Sequence, residues 1–169
     1  EAESIYEQLI EANPDDERAL ILLSLMRARA GNSEGAKAIL TEAAERLGSG
    51  RFRAVLLRVY LESGDIDRAA DLIRTQLEAD PDSIPYRLVL AELLWRTDEP
   101  DEARAEFNKV LEAAPRSPVA YRRGILDLQQ GRYEEAVELY RQAESMVPDL
   151  VEADVCLALA AQSSGNPTK

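Results

Sequence analysis

Alanine recurs at Ala2, Ala36, Ala69, Ala103 and Ala136, in steps of 34, 33, 34 and 33 residues. Four residues after each stands a large apolar side chain: Tyr6, Leu40, Ile73, Phe107 and Tyr140. Pro14, Gly48, Pro81, Pro115 and Pro148 keep the same step, as do Gly31, Gly64, Asp98, Gly131 and Gly165. Three registers in phase over the whole chain constrain the fold more than any other feature. A chain written this way is a stack of similar units, each burying its apolar face only against its neighbours.

The spacing inside one period says what a unit is. In GRYEEAVELYRQAESMVPD, Gly131 to Asp149, the residues Tyr133, Ala136, Val137, Tyr140 and Ala143 fall at i, i+3, i+4, i+7 and i+10. That is one face of a helix. Upstream, SPVAYRRGILDLQQ is a second helix-length segment, with Pro118 suited to a first turn. Gly131 between them can take the positive φ of a tight helix–helix turn. Ala136 and Ala143 let the paired helices approach closely, and Pro148 stops the second helix. Each unit therefore reads as helix A, short turn, helix B, breaker.

Composition agrees with an all-α chain. Hydrophobic residues make up 46%, enough for a core, while 31% are charged and 5% aromatic, and Ala, Leu, Glu and Arg are abundant. The net charge of -12 argues against non-specific nucleic-acid binding and against docking on anionic lipid. It reads most simply as the solubility of a helical surface. One cysteine, Cys156, gives no intrachain disulfide framework and leaves the compartment unassigned. No apolar run is long enough for direct membrane insertion. The first residues, EAESIYEQLI, lack the basic start and apolar centre of a signal peptide and read as a start inside a longer protein. A bacterial cytoplasm or periplasm fits equally.

The Ala-x-x-x-aromatic and Pro pattern of Ala136, Tyr140 and Pro148, of Ala103, Phe107 and Pro115, and of Ala2, Tyr6 and Pro14 resembles the second half of the tetratricopeptide repeat. First-half signatures are weaker. Small residues follow Leu23, Leu90 and Leu157 as Ser24, Ala91 and Ala158, and Gly124 follows Arg123. The family's leading Trp slot holds Leu20, Arg53, Arg87, Ala120 and Asp154. The second repeat departs most, with Leu57 in the small-residue slot and GSG in place of the Pro turn, which leaves its helix-A register open. The resemblance covers essentially the whole chain. It implies a right-handed superhelical solenoid of antiparallel helix pairs, with the A helices lining a concave groove. Pentatricopeptide proteins, the nearest rival, read RNA and fit an acidic chain poorly.

In this register residues 1–169 form a single array, a segment of a longer protein. Residues 1–14 are helix B of an incomplete repeat, 17–49, 50–83, 84–116 and 117–150 are four repeats, and 151–169 hold helix A of another incomplete one. VEADVCLALAAQSSG carries no polar cap, because Val155, Leu157, Ala158, Leu159 and Ala161 spread apolar surface around the helix. Its own helix B lying further on would explain this, and self-association through the uncapped C-terminal helix is the other consequence.

Signals for chemistry are weak. The chain has no histidine, the commonest general base and metal ligand. Cys156, on an apolar helix, reads as a buried structural thiol. RLGSGR resembles a turn and lacks the Lys-Ser/Thr of a phosphate loop. The acids of NPDDE and DEPDE precede helices, where they satisfy free N–H groups, and the calcium-loop order is absent. No catalytic residue, metal site or cofactor is expected.

The A-helix stripes supply the candidate partner-binding residues. They are Arg18, Ile21, Leu25 and Arg29 in the first repeat, and Arg58 and Leu61 in the second. The third contributes Leu88, Glu92, Trp95 and Arg96, and the fourth Tyr121, Arg122, Ile125 and Leu128. The carboxylate-clamp members of the family hold a peptide C-terminus with Lys and Asn at slots filled here by Ile21, Leu25, Ala54, Leu88, Glu92, Tyr121 and Ile125, so that mode is not expected. An apolar groove edged by arginines suits an amphipathic helix, or an extended segment with apolar anchors and a few acids. Trp95, the only tryptophan, is either a binding hot spot or packed into the neighbouring repeat. The expected function is a non-catalytic protein–protein interaction scaffold taking a protein or peptide partner. Two alternatives stand beside it: a structural segment of a bacterial cell-envelope or polysaccharide-export assembly, and a regulatory module of an enzyme encoded outside these residues.

Overall fold

A computed structural model describes residues 2–115, 117–146 and 151–163. The described residues form ten α-helices and no strand. Pro148, Gly165 and Lys169, and the side chain of Cys156, lie outside the described residues, so the breaker, turn and thiol readings at those positions are not addressed. The chain divides into two compact units, Glu1–Thr75 and Gln76–Lys169.

The first unit holds α1 (Ala2–Ala12), α2 (Glu17–Arg29), α3 (Ser33–Leu47), α4 (Gly50–Ser63) and most of α5 (Ile66–Ala79). Local chemistry sets the helix starts. The Asp16 carboxylate accepts from the N–H groups of Arg18 and Ala19, both at 3.0 Å, and the Asn32 side chain accepts from Gly35 N–H at 2.9 Å. Each satisfies donors that a helix start leaves free. Antiparallel α2 and α3 bury Leu20, Leu23, Ala36, Leu40 and Ala43, and α4 adds Phe52, Leu56 and Val59.

The second repeat resolves its register here. Gly48 ends α3 at φ +66°, and Ser49 caps α4, so GSG performs the turn that proline marks elsewhere. Leu57 stands half-exposed where Ser24 and Ala91 are buried. Phe52, Leu56 and Val59, at i, i+4 and i+7, carry the buried face of α4.

The second unit holds α6 (Ile84–Arg96), α7 (Pro100–Ala113), α8 (Val119–Gln129), α9 (Tyr133–Met146) and α10 (Val151–Ser163). Helices α6 and α7 pair, as do α8 and α9, and α10 packs on α9. The B-helix positions read from the sequence are buried in both units. Ala36, Ala69, Ala103 and Ala136 are wholly inside, together with Leu40, Ile73, Phe107 and Tyr140.

One turn recurs between A and B helices. Asn32, Asp65, Glu99 and Arg132 N–H groups donate to the carbonyls of Arg27, Tyr60, Leu94 and Asp127, at 2.8 to 2.9 Å. This six-to-one closure needs a left-handed residue just before the donor. Gly31, Gly64 and Gly131 supply it, and Asp98 takes the same place at φ +62°. The phase of Gly, Gly, Asp, Gly in the sequence is thus the phase of this backbone requirement.

Gly124 answers to a different constraint. A Cβ there would stand 2.7 Å from Cε1 of the buried Tyr140 ring. In an exposed helix interior Gly→Ala gains about 1 kcal/mol. Here the clash wins, and Gly124→Ala is expected to cost about 1–3 kcal/mol. Urea unfolding of Gly124→Ala, Tyr140→Leu and the double variant checks this, since Gly124→Ala should cost less on the Tyr140→Leu background than on the parent. A gain in stability from Gly124→Ala alone would show that the ring moves aside freely.

Candidate functional site

In the first unit, α2 presents Arg18, Ile21, Leu25 and Arg29 along one stripe, and α4 presents Arg58 and Leu61. None of the six is in the core: the three apolar side chains are half-buried and the three arginines exposed. The guanidinium groups of Arg18 and Arg29 meet no carboxylate among the described residues, while Arg58 lies 3.8 Å from Glu62 on its own helix. Arg27 is different. It faces α1 and pairs with Glu3 and Glu7, each at 2.8 Å, and its pKa is raised, first by the hydrogen bond to Glu3.

In the second unit, α6 presents Leu88, Glu92, Trp95 and Arg96, and α8 presents Tyr121, Arg122, Ile125 and Leu128. All eight are half-buried or exposed. Two contacts tie these helices together on this side. Glu92 and Arg122 form an ion pair, and the Trp95 indole N–H donates to Gln129 Oε1 at 2.9 Å. Arg122 is therefore neutralised by Glu92, whereas Arg96 has no ion-pair partner among the described residues.

Trp95 packs against α7 and reaches α8 through its hydrogen bond to Gln129. Its ring meets buried Phe107 edge-on, with centroids 6.3 Å apart and planes at 81°, yet it stays half-buried. An edge-to-face pair of this kind is a favoured aromatic arrangement that fixes the ring's orientation. Tyr121 likewise leans on buried Tyr140 at 5.8 Å.

Sequence reasoning missed what lies under this side of α8. Arg123 and Asp127 are both buried, at 4% and 0% exposure, and their charged atoms stand 2.8 Å apart. Arg104 of α7 reaches Asp127 at 3.3 Å and Glu135 of α9 at 3.8 Å. Burial pushes the Asp127 carboxyl above its ordinary value despite the neighbouring arginines, and burial likewise pulls Arg123 down. The register held a signal: Leu90 and Leu94 occupy the same two positions one period earlier.

A cavity of about 420 Å³ lies between α1, α2 and α3, away from the α2 stripe, with Ile10, Leu20, Leu23, Ile39 and Ala43 in its lining. Among the described residues there is no group of three or more His, Cys, Asp or Glu placed to hold a metal ion. No described helix is long and apolar enough to cross a membrane.

Sequence models described as tetratricopeptide repeat match residues 1–52, 60–123 and 118–150. Comparison with curated proteins finds no match. Among solved structures, the fold is similar to that of the MamA protein, with a TM-score of 0.72 at 17% identity over 86% of this chain and 81% of that one. YrrB, described as a TPR protein with an unusual peptide-binding site, superposes with a TM-score of 0.70 at 17% identity, over 95% of this chain and 84% of that one. TTC0263, a thermophilic TPR protein of Thermus thermophilus, gives 0.59 at 21%, over 95% and 89%. At these identities the likeness speaks for the fold, an all-α solenoid of repeated helix pairs. Proteins built this way are typically non-catalytic scaffolds. Helix pairs in a 33/34-residue phase, closed by one recurrent turn and matched along most of their length, place the chain in the tetratricopeptide repeat family.

Proposed function

We propose that the chain is a non-catalytic interaction scaffold whose A-helix faces, within each unit, take a peptide or helix of a partner protein. One observation carries the reading. Ile21, Leu25 and Leu61 in one unit, and Leu88, Trp95, Tyr121, Ile125 and Leu128 in the other, stay accessible although they share helices with the core. Apolar side chains aligned on one stripe and left open to solvent are what a helix-in-groove or extended-peptide partner needs. The single-array division into four repeats and two half-repeats belongs to this proposal. Equilibrium capture needs no reactive group, and the A-helix stripes offer none.

Trp95 makes the reading measurable, because it is the only tryptophan and sits on the α6–α8 face. Partner capture there is expected to shift its emission. Ile125→Asp, a charge on the same face, is expected to weaken capture about tenfold or more with helicity unchanged. A partner isolated by crosslinking in the native host, whose binding leaves both readouts unmoved, rejects the α6–α8 face.

A second reading rests on apolar side chains exposed on α1 and α10. Ile5 and Leu9 on α1 are 57% and 46% exposed, and Val155 and Leu159 on α10 are 53% and 47% exposed. Under it the chain acts as an assembly segment that associates through these faces. Sedimentation velocity separates the two: Val155→Glu with Leu159→Glu should abolish any self-association under this reading and leave peptide capture untouched under the first.

A further inference from the structure

The charges of this chain are sorted by helix. In the first unit, α2 and α4 carry six arginines against two carboxylates, Glu17 and Glu62. Helices α1 and α3 carry six carboxylates against Lys37 and Arg46. The second unit repeats the pattern, with α6 and α8 holding four arginines against Glu92 and Asp127, and α7 and α9 holding eight carboxylates against three bases. A chain of net charge -12 thus keeps an excess of positive charge on α2, α4, α6 and α8.

Internal pairing removes part of that surplus and shows what is left. Arg27 is held by Glu3 and Glu7, and Arg51 lies 3.7 Å from Glu17. Arg18 and Arg29 keep no carboxylate partner among the described residues. Eleven residues apart, they share one side of α2 about 16 Å from each other, with Leu25 between them and Ile21 alongside. That distance equals about five residues of extended chain.

We propose that the α2–α4 face takes an acidic extended peptide segment, whose two carboxylates, about four or six residues apart and so on one side of the strand, meet Arg18 and Arg29 while the apolar side chains between them on that side cover Ile21, Leu25 and Leu61. The proposal rests on the A-face reading and gives its occupant a sign and a spacing. Acidic B helices repel such a segment from the rest of the surface, so the same charge sorting that attracts it also orients it. Nucleic acid, the other common polyanion, would meet the acidic helices over its much longer backbone.

A random peptide display library selected on the intact chain tests both levels. Selected sequences are expected to be acidic, with paired Asp or Glu bracketing Leu, Ile or Phe, and to bind less tightly as salt rises. Arg18→Glu with Arg29→Glu should lower their affinity about tenfold. Lys-for-Glu versions of the same peptides should restore it on that variant, and Arg74→Glu on α5 should change nothing. Neutral or basic selected peptides that are lost on Leu25→Asp would overturn the acidic occupant and leave the A face standing. Peptides indifferent to both Leu25→Asp and the charge reversal, or a library without binders, would overturn the face itself. A single-stranded oligonucleotide bound as tightly as the acidic peptides would overturn the assignment to a peptide.

Discussion

Asp127→Leu alone is expected to destabilise the second unit by about 3–5 kcal/mol, because it leaves Arg123 buried beside Arg104 with no carboxylate between them. Arg123→Leu should cost less, since Arg104 at 3.3 Å still neutralises Asp127. The double change to Leu reproduces what α6 already has at these positions, Leu90 and Leu94, both buried. It is expected to match the parent or exceed it by about 1–4 kcal/mol. Two features favour the gain. Neither Asp127 oxygen completes a well-directed hydrogen bond among the described residues, and burial outweighs pairing for both groups.

The pH dependence follows with its sign. Asp127 has a folded pKa raised above its ordinary value, so its proton is held more tightly in the folded chain. Its contribution favours folding below the ordinary carboxylate range and is lost as pH rises through the raised value. The double Leu variant should therefore gain most over the parent near neutrality and least in acid. Urea unfolding followed by Trp95 emission reads the unit that holds both residues. A double variant as unstable as Asp127→Leu would show that the network stabilises outright.

Much of this architecture is legible in the sequence because its causes are local. Ala136 and Tyr140 announce a buried helix face through spacing alone, and Gly31, Gly64 and Gly131 announce left-handed turns because few other residues take them. Asp98 was legible only through its phase. The second repeat was less so: Ser49 and Gly48 do by capping and backbone sign what proline does elsewhere. The A-helix stripes could be placed by register, and all fourteen candidate residues are accessible at the surface. Pairing could not be placed. That Glu92 cancels Arg122, while Arg18 and Arg29 meet no carboxylate among the described residues, depends on which side chains from different helices converge. Asp127 was hidden for a related reason, since a charged residue in an amphipathic pattern reads as solvent-facing until its neighbours enclose it.

Phe107→Ala is expected to cost about 3–5 kcal/mol, the loss of a wholly buried aromatic ring. Its consequences reach the candidate face. Trp95 rests edge-on against Phe107, and removing that ring takes away its aromatic support while keeping the hydrogen bond to Gln129. Trp95 emission should shift to longer wavelength in the folded variant as water reaches the ring. Gln129→Ala is the complementary change: it breaks the indole hydrogen bond but keeps the aromatic support, and should cost about 1 kcal/mol or less at an exposed site. If Phe107 sets the position of Trp95, then Phe107→Ala should weaken partner capture on the α6–α8 face even under conditions where the chain stays folded, and Gln129→Ala should weaken it little. Equal emission in the parent and Phe107→Ala would mean that Gln129 is the support that matters, and the ranking of the two variants in binding should then reverse.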